Sequence, residues 1–452
     1  MSEENQSFVK MEREESANFF DIVKLTKERA NEKKNEEFST KINRKETVRL
    51  GKHTKFNETT NAFIFKRSQG DEIGLALQFA IIHLTELFKK NKSSKDDLLL
   101  FQDFQKTKKV YFPAAGSENT PKHTLSDFKF KAQSPKGFQY FRNALGISDE
   151  DYISTIAKDK LKVMGNPAKS GALMWTTSDN QYVFKTVSKA QSKFLKQMLL
   201  GYYMTLHQHP NTFLTKFYGL YTLRMRKRSI RIVVMRNFFP HGIELTHKFD
   251  LKGSTISREA GEKEKQKSQP TYRDLDFNEI FKSLYLEPQY YSEIENSIKF
   301  DSTVLDAYNI FDYSLLLGVV KPKDQGIIKD LQRKMSRENF QNMVFQGGIP
   351  AKDKDGAQCY LYIGIVDMLQ EYDLAHKLQY VWKAVKHGPH NLHKVSVQPP
   401  GKYKHRFDSY MLNNIFQPKK IEEKTPELEE RIPAKNWQKA ISLAIKNGKD
   451  LN

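Results

Sequence analysis

The sequence predicts an α+β fold, and three observations carry it. Two strand patterns, Ala172–Thr177 and Tyr182–Val187, precede a helical pattern over Ala190–Gln208, and a second strand pair follows at Phe217–Leu223 and Ile230–Met235. Two later runs, Tyr313–Val320 and Tyr360–Val366, are almost purely apolar, as in strands buried on both faces, although a buried helix shares that pattern. The 20 Tyr and 31 Phe can fill a core, which argues against wholesale disorder. At roughly 100–200 residues per domain, 452 residues admit two or three domains or lobes.

Each element has a local reason. Residues 1–69 are polar and mixed in charge and read as a disordered leader. Residues 70–236 are read as an N-terminal lobe. It opens on a helix through Lys90, whose apolar stretch Ile73–Phe88 is broken by Gln78, His83, Thr85 and Glu86. That makes it a core helix and not a membrane span. An apolar patch lies in Asp97–Lys109, and a loop with proline and glycine follows at Pro113–Pro121. Gly137–Leu145 and Asp149–Ile156 read as short helices, the second capped by Ser148-Asp-Glu-Asp151. The two strand pairs and their helix then form an antiparallel sheet with one packed helix. Residues 237–412 are read as a C-terminal lobe, with a charged loop at Ile256–Gln269, helices at Leu275–Leu286 and Tyr290–Leu305, and the two apolar runs. Between those runs Asp330–Met343 reads as a surface helix or loop. Residues 413–452 form a tail.

Composition limits function. Lys plus Arg is 74 and Asp plus Glu is 54, a net charge of +20, so the partners to consider are nucleic acid, an anionic membrane or an acidic ligand. One cysteine, Cys359, excludes a disulfide framework within the chain. Met1–Phe20 has no apolar core of a signal peptide, and an intracellular protein is expected.

Six constellations could carry chemistry. The turn Asn166–Gly171 could bring backbone N–H groups, at Ser170 and Gly171, to a phosphate, or be only a tight turn. Lys185 lies inside an apolar strand and either finds an anion, such as nucleotide phosphate, or snorkels to water. Phe249-Asp-Leu-Lys-Gly-Ser-Thr255 gathers Asp250, Lys252, a glycine and two hydroxyls, suited to phosphate or to a capped turn. Asp312 precedes one apolar run and Asp367 ends the other. A carboxylate at the end of a buried strand needs a cap, a cation or a metal. Finally, Lys383–Arg406 holds Lys383, Lys386, Lys394, Lys402, Lys404 and Arg406, four histidines and no acid. Pro399-Pro400-Gly401 argue against a single helix there. It reads as a solvated loop or as one that docks on an anionic membrane; RNA binding competes, but no RNA motif is present.

In this order the elements resemble the phosphatidylinositol phosphate kinase family, closest to its type I, phosphatidylinositol 4-phosphate 5-kinase group. The resemblance lies in Lys185-Thr-Val187, Asn211–Tyr221, Asp250–Thr255, Asp274-Leu-Asp-Phe277, Asp312–Leu316, Ile365–Gln370 and Pro400–Phe407, and covers roughly 70–412. It implies a two-lobed kinase-like fold with an antiparallel N-lobe sheet and a mixed α/β C-lobe. It implies ATP and Mg²⁺ as cofactors and transfer of the γ-phosphoryl to an inositol hydroxyl, the 5-hydroxyl of phosphatidylinositol 4-phosphate being the first expectation. Lys185 matches the ATP lysine, with Ser170 and Gly171 beside it. Asp312 matches the catalytic-loop aspartate, Lys252 the lysine of the Asp-Leu-Lys-Gly-Ser motif beside the phosphates, which Asp250 opens, and Asp367 the metal-binding aspartate. The segment about 383–406 falls on the activation loop, which binds membrane and selects lipid. The expected partners are ATP, an anionic phosphoinositide membrane and, for an oligomer, a second copy in a homodimer; no nucleic acid is expected. The expected location is cytoplasmic, peripheral at the plasma membrane.

The chain departs from the family in the glycine-bearing hairpin, where Ala172 and Met174 replace the usual serine and phenylalanine, and at two places closer to the chemistry. The helix after Lys185 carries Gln191 and Lys193 where relatives have acids, which leaves Lys185 without its usual partner. Gln379 replaces a position that is Glu or Ala according to lipid preference. The alternative to an active kinase is a weak or inactive relative that acts as a phosphoinositide-binding scaffold.

Overall fold

A computed structural model describes residues 55–57, 62–64, 67–90, 99–164, 172–239, 244–321, 340–346, 348–372 and 398–419. The chain up to Gln417 is one compact unit, and 418–452 form a second. A short antiparallel hairpin, β1 (Lys55–Asn57) and β2 (Ala62–Ile64), precedes the long helix α1 (Arg67–Lys90). Then come β3 (Thr107–Phe112), β4 (Phe128–Gln133), α2 (Pro135–Ala144), α3 (Asp149–Ala157), β5 (Lys162–Met164), β6 (Met174–Thr176) and β7 (Tyr182–Val187). Helix α4 (Lys189–Gln208) and the hairpin β8 (Phe217–Met225) and β9 (Arg228–Arg236) follow. These strands form a seven-stranded sheet in the order β3-β4-β8-β9-β7-β6-β5, antiparallel throughout.

Strand alternation sorts side chains between two cores. On one face α1 (Ala76, Leu77, Ala80, Ile81, Leu84) packs on Trp175, Phe184, Ile232 and Val234. On the other, α4 (Leu195, Met198, Leu199, Tyr202) packs with Phe217, Leu220 and Val233 in a core that continues into the second lobe. Helix α4 starts at a capping box: the Gln191 N–H donates to Ser188 Oγ at 3.1 Å and the Ser188 N–H to Gln191 Oε1 at 2.9 Å.

The second lobe holds β10 (His247–Leu251), α5 (Asp274–Ile280), β11 (Leu284–Leu286), α6 (Pro288–Ala307), β12 (Ser314–Val320), α7 (Phe340–Gln346), β13 (Ile349–Lys352), β14 (Gln358–Val366) and α8 (Pro400–Tyr410). In its sheet β10, β12, β14, β13 and β11 are neighbours in that order. Both apolar runs are strands, and most of their side chains are buried. The fold is α+β, two-lobed and kinase-like. Among the described residues no helix is long and apolar enough to cross a membrane.

Three sequence expectations change. The first sheet has seven strands, not four. In β4 the residues Phe128, Phe130 and Ala132 are buried while Lys129 faces out, a period-2 pattern present in the sequence. The single helix expected at Leu275–Leu286 is instead α5 and β11, because Lys282 between them adopts a left-handed conformation (φ 59°) that ends a helix. The basic loop expected to reach Arg406 ends by Pro399: Pro400 opens α8, since proline suits a first helical position. The leader beyond its described strands, and the tail from 420 on, lie outside the described residues.

Candidate active site

Strand β7 points Tyr182 and Phe184 into the core, so Val183, Lys185 and Val187 face the opposite side. There they line a cleft of about 680 Å³ that also takes in Asp250, Asp312 and Asp367. β12 and β14 pair with Ser314 opposite Val366. Asp312 and Asp367 therefore flank the same end of two adjacent central strands. Both adopt left-handed backbone, φ 60° and 62°, a conformation that aspartate tolerates better than most residues but that still costs about 1–2 kcal/mol. Two such residues side by side at strand ends mark a place shaped for chemistry.

Each aspartate meets a lysine. Lys185 Nζ lies 2.9 Å from Asp367 Oδ1. Lys252 Nζ lies 2.8 Å from Asp312 Oδ1 and donates to the Asp312 carbonyl at 2.8 Å. Asp367 is deep in the cleft yet opens into it, with 48% of its side chain exposed. Burial pushes its carboxyl upward, but the Lys185 and Lys252 ammonium groups outweigh this, so the net shift is below the ordinary carboxylate value. Asp367 stays ionised.

The Lys252 loop is held from beneath by a residue that the sequence reading did not place in the site. Asp274, fully buried at the start of α5, accepts from the Lys252 N–H at 2.9 Å, the Gly253 N–H at 2.7 Å and Arg258 Nε at 2.6 Å. Arg258 Nη2 also donates to Asp250 Oδ1 at 2.6 Å. Asp250 thus borders the cleft with its carboxylate shared with Arg258. Gly253 is left-handed (φ 69°), and a Cβ there would press on Tyr410 and the Arg406 carbonyl of α8. Phe238 and Phe239, also missed, close the cleft from the connection between lobes. A Cβ on Gly364 or Gly318 would collide with these two rings. Glycines inside the two apolar strands were the available signal, since a strand glycine often marks a close approach.

The remaining predicted residues divide into two groups. Ser170, Gly171, Gln379, Lys383, Lys386 and Lys394 lie outside the described residues. Lys402, Lys404 and Arg406 are on α8, not on a loop. Lys402 is exposed. Lys404 pairs with Asp408 at 2.8 Å. Arg406 stacks over Tyr403 at 4.7 Å and donates to the Lys252 carbonyl at 3.3 Å. Lys404 and Arg406 are therefore committed to contacts within the protein. The lost acids are also accounted for. Gln191 lines the cleft and closes the α4 cap, Lys193 is exposed, and Asp367 is the acid that meets Lys185.

The donor set suits Mg²⁺ bound with a nucleotide. That ion takes one or two carboxylates plus phosphate and water, not a full protein cage. Among the described residues no three acids, histidines or cysteines converge, while the Asp367 side chain is exposed to the cleft.

Residues 155–414 match the family described as Phosphatidylinositol-4-phosphate 5-Kinase. The chain is similar to phosphatidylinositol 4-phosphate 5-kinase type-1 alpha of Mus musculus, 34% identical over 412 residues, covering 85% of this chain and 73% of that one. It is similar to the type-1 beta protein of Homo sapiens, 36% identical over 384 residues, covering 78% and 70%. The type-1 sktl protein of Drosophila melanogaster is 31% identical over 431 residues, covering 78% and 54%.

Proposed function

We propose that this chain, which belongs to the phosphatidylinositol-4-phosphate 5-kinase family and is a phosphatidylinositol phosphate kinase, transfers the ATP γ-phosphoryl to the 5-hydroxyl of phosphatidylinositol 4-phosphate at an anionic membrane surface. The observation that carries this reading is that Lys185, Asp312 and Asp367 line one cleft, with Lys185 paired to Asp367 and Lys252 to Asp312. In phosphoryl transfer the protein's work is positioning and charge stabilisation. Lys185 would hold the α- and β-phosphates. Asp312 would orient the attacking inositol hydroxyl and accept its proton. Lys252, shared with Asp312, would meet the transferring phosphoryl and offset its charge. Asp367 would hold Mg²⁺, which would supply positive charge to offset that of the transferring phosphoryl group. Ser170 and Gly171 would cover the phosphates. Gln379, Lys383, Lys386, Lys394 and the exposed Lys402 would meet the lipid surface.

The test is transfer of labelled phosphate from ATP with Mg²⁺ to vesicles, each carrying one phosphatidylinositol monophosphate. Product from the 4-phosphate lipid is expected. Product only from another monophosphate would change the substrate and make Gln379 the first position to examine. Vesicle binding without product from any lipid would favour a scaffold.

A further inference from the structure

The segment Asn211–Lys216 crosses from α4 to β8 and lies against the strand that carries Asp367. Leu214 bridges Ile365 in parallel. The Ile365 N–H donates to the Phe213 carbonyl at 2.8 Å, and Thr215 donates to the Ile365 carbonyl through N–H at 3.1 Å and Oγ1 at 2.7 Å. Ile365 is two residues before Asp367. The segment is thus an added rung at the end of β14, and it belongs by chain connection to the lobe that carries Lys185.

Two buried charged residues hold this rung. Asp301 of α6 accepts from Thr212 Oγ1 at 2.5 Å and from the Phe213 N–H at 2.7 Å. Lys216 folds back and donates from Nζ to the Thr212 carbonyl at 2.7 Å and the Leu214 carbonyl at 3.1 Å. Their exposures are 0% and 5%. Removing two charges from water is costly unless geometry and hydrogen bonds compensate. Burial raises the Asp301 carboxyl and lowers the Lys216 ammonium, each toward 7. Their hydrogen bonds all go to the crossing segment itself, so what the two residues fix is the shape of that turn. A packed apolar pair could fill the space but could not bind those backbone groups.

We propose that Lys216 and Asp301 are positioning residues for phosphoryl transfer, which set Asp367 against Lys185 through the Thr212–Lys216 turn and its pairing with Ile365. The proposal rests on the reading that Asp367 holds the nucleotide's metal. Equilibrium dialysis of the full chain with ATP, with and without Mg²⁺, compares wild type with Asp301→Asn and Lys216→Met. Mg²⁺ is expected to tighten ATP binding to the wild type. In either variant that enhancement is expected to shrink about tenfold, as when a group supporting a metal ligand is lost, while metal-free ATP affinity stays the same. Should a variant not fold by circular dichroism, Thr212→Val removes one hydroxyl bond and is expected to cut the enhancement about threefold. A Mg²⁺ enhancement equal to wild type in folded variants would overturn the proposal, as would an equal loss of metal-free binding, the mark of general distortion. The lipid assay decides the parent reading separately: a wild type that binds ATP with Mg²⁺ but transfers nothing refutes transfer, and the dialysis result still stands or falls alone.

Discussion

At the residue scale, paired charges decide the site, and the pairs differ in worth by burial. Asp274 is fully buried and serves Arg258 and two backbone N–H groups. Asp274→Asn leaves Arg258 without a full counter-charge, and is expected to lower stability by about 3 kcal/mol, measured by urea unfolding. The Lys185–Asp367 pair is open to the cleft and contributes about 1 kcal/mol at most. Its sign with pH follows from the lowered Asp367 carboxyl. The unfolded state takes up the proton first, so the contribution is present above the ordinary carboxylate value and fades as pH falls through the folded-state value. Urea midpoints of wild type and Asp367→Asn should therefore differ most near neutrality and converge below about pH 4.

At the element scale, α4 meets the second lobe through a glycine. A Cβ on Gly201 would collide with the Tyr308 hydroxyl, which is buried with no hydrogen-bond partner among the described residues. Gly201→Ala is expected to cost about 1–3 kcal/mol through overpacking. Tyr308→Phe alone should be near neutral, since it removes an unsatisfied hydroxyl, and should recover part of the loss when combined. A double-mutant cycle in thermal unfolding measures this. Elements of this kind were unevenly legible in the sequence. Lys185, Asp312 and Asp367 could be singled out because each is a charge set in or beside an apolar strand, and Asp250 and Lys252 because they share a short segment with a glycine and two hydroxyls. The pairing of Lys185 with Asp367 could not, since 182 positions separate them and they stand on two different sheets that only the tertiary fold brings together. β3 escaped because the exposed Lys108 and Lys109 break its apolar alternation, as charges on edge strands often do. Asp274 and Asp301 escaped because an acid on an amphipathic helix looks like any solvated one until its face is known. Pro400 looks like a helix breaker in the sequence, yet it begins α8, because proline is tolerated in a first helical turn.

At the scale of the whole molecule, the charge of +20 is the membrane argument. Changing Lys386, Lys394 and Lys402 to Glu is expected to weaken binding to anionic vesicles, each lysine near the surface being worth about 1 kcal/mol. Co-sedimentation at rising salt checks it, because the effect should shrink as screening grows. Lys404→Glu should behave differently and lower stability as well, because Lys404 pairs with Asp408 within α8. The two lobes carry complementary halves of the site: Lys185 comes from the first sheet, and Lys252, Asp312 and Asp367 from the second. If these halves meet to transfer phosphate, the loss of either acid should stop turnover. The most direct measurement is the initial rate of phosphatidylinositol 4,5-bisphosphate formation by wild type, Asp312→Asn and Asp367→Asn, all shown folded by circular dichroism. A measurable wild-type rate is expected, with a fall of at least about 10²-fold in each variant, the scale of losing one preorganised charge-stabilising group. Rates in both variants equal to wild type would contradict it.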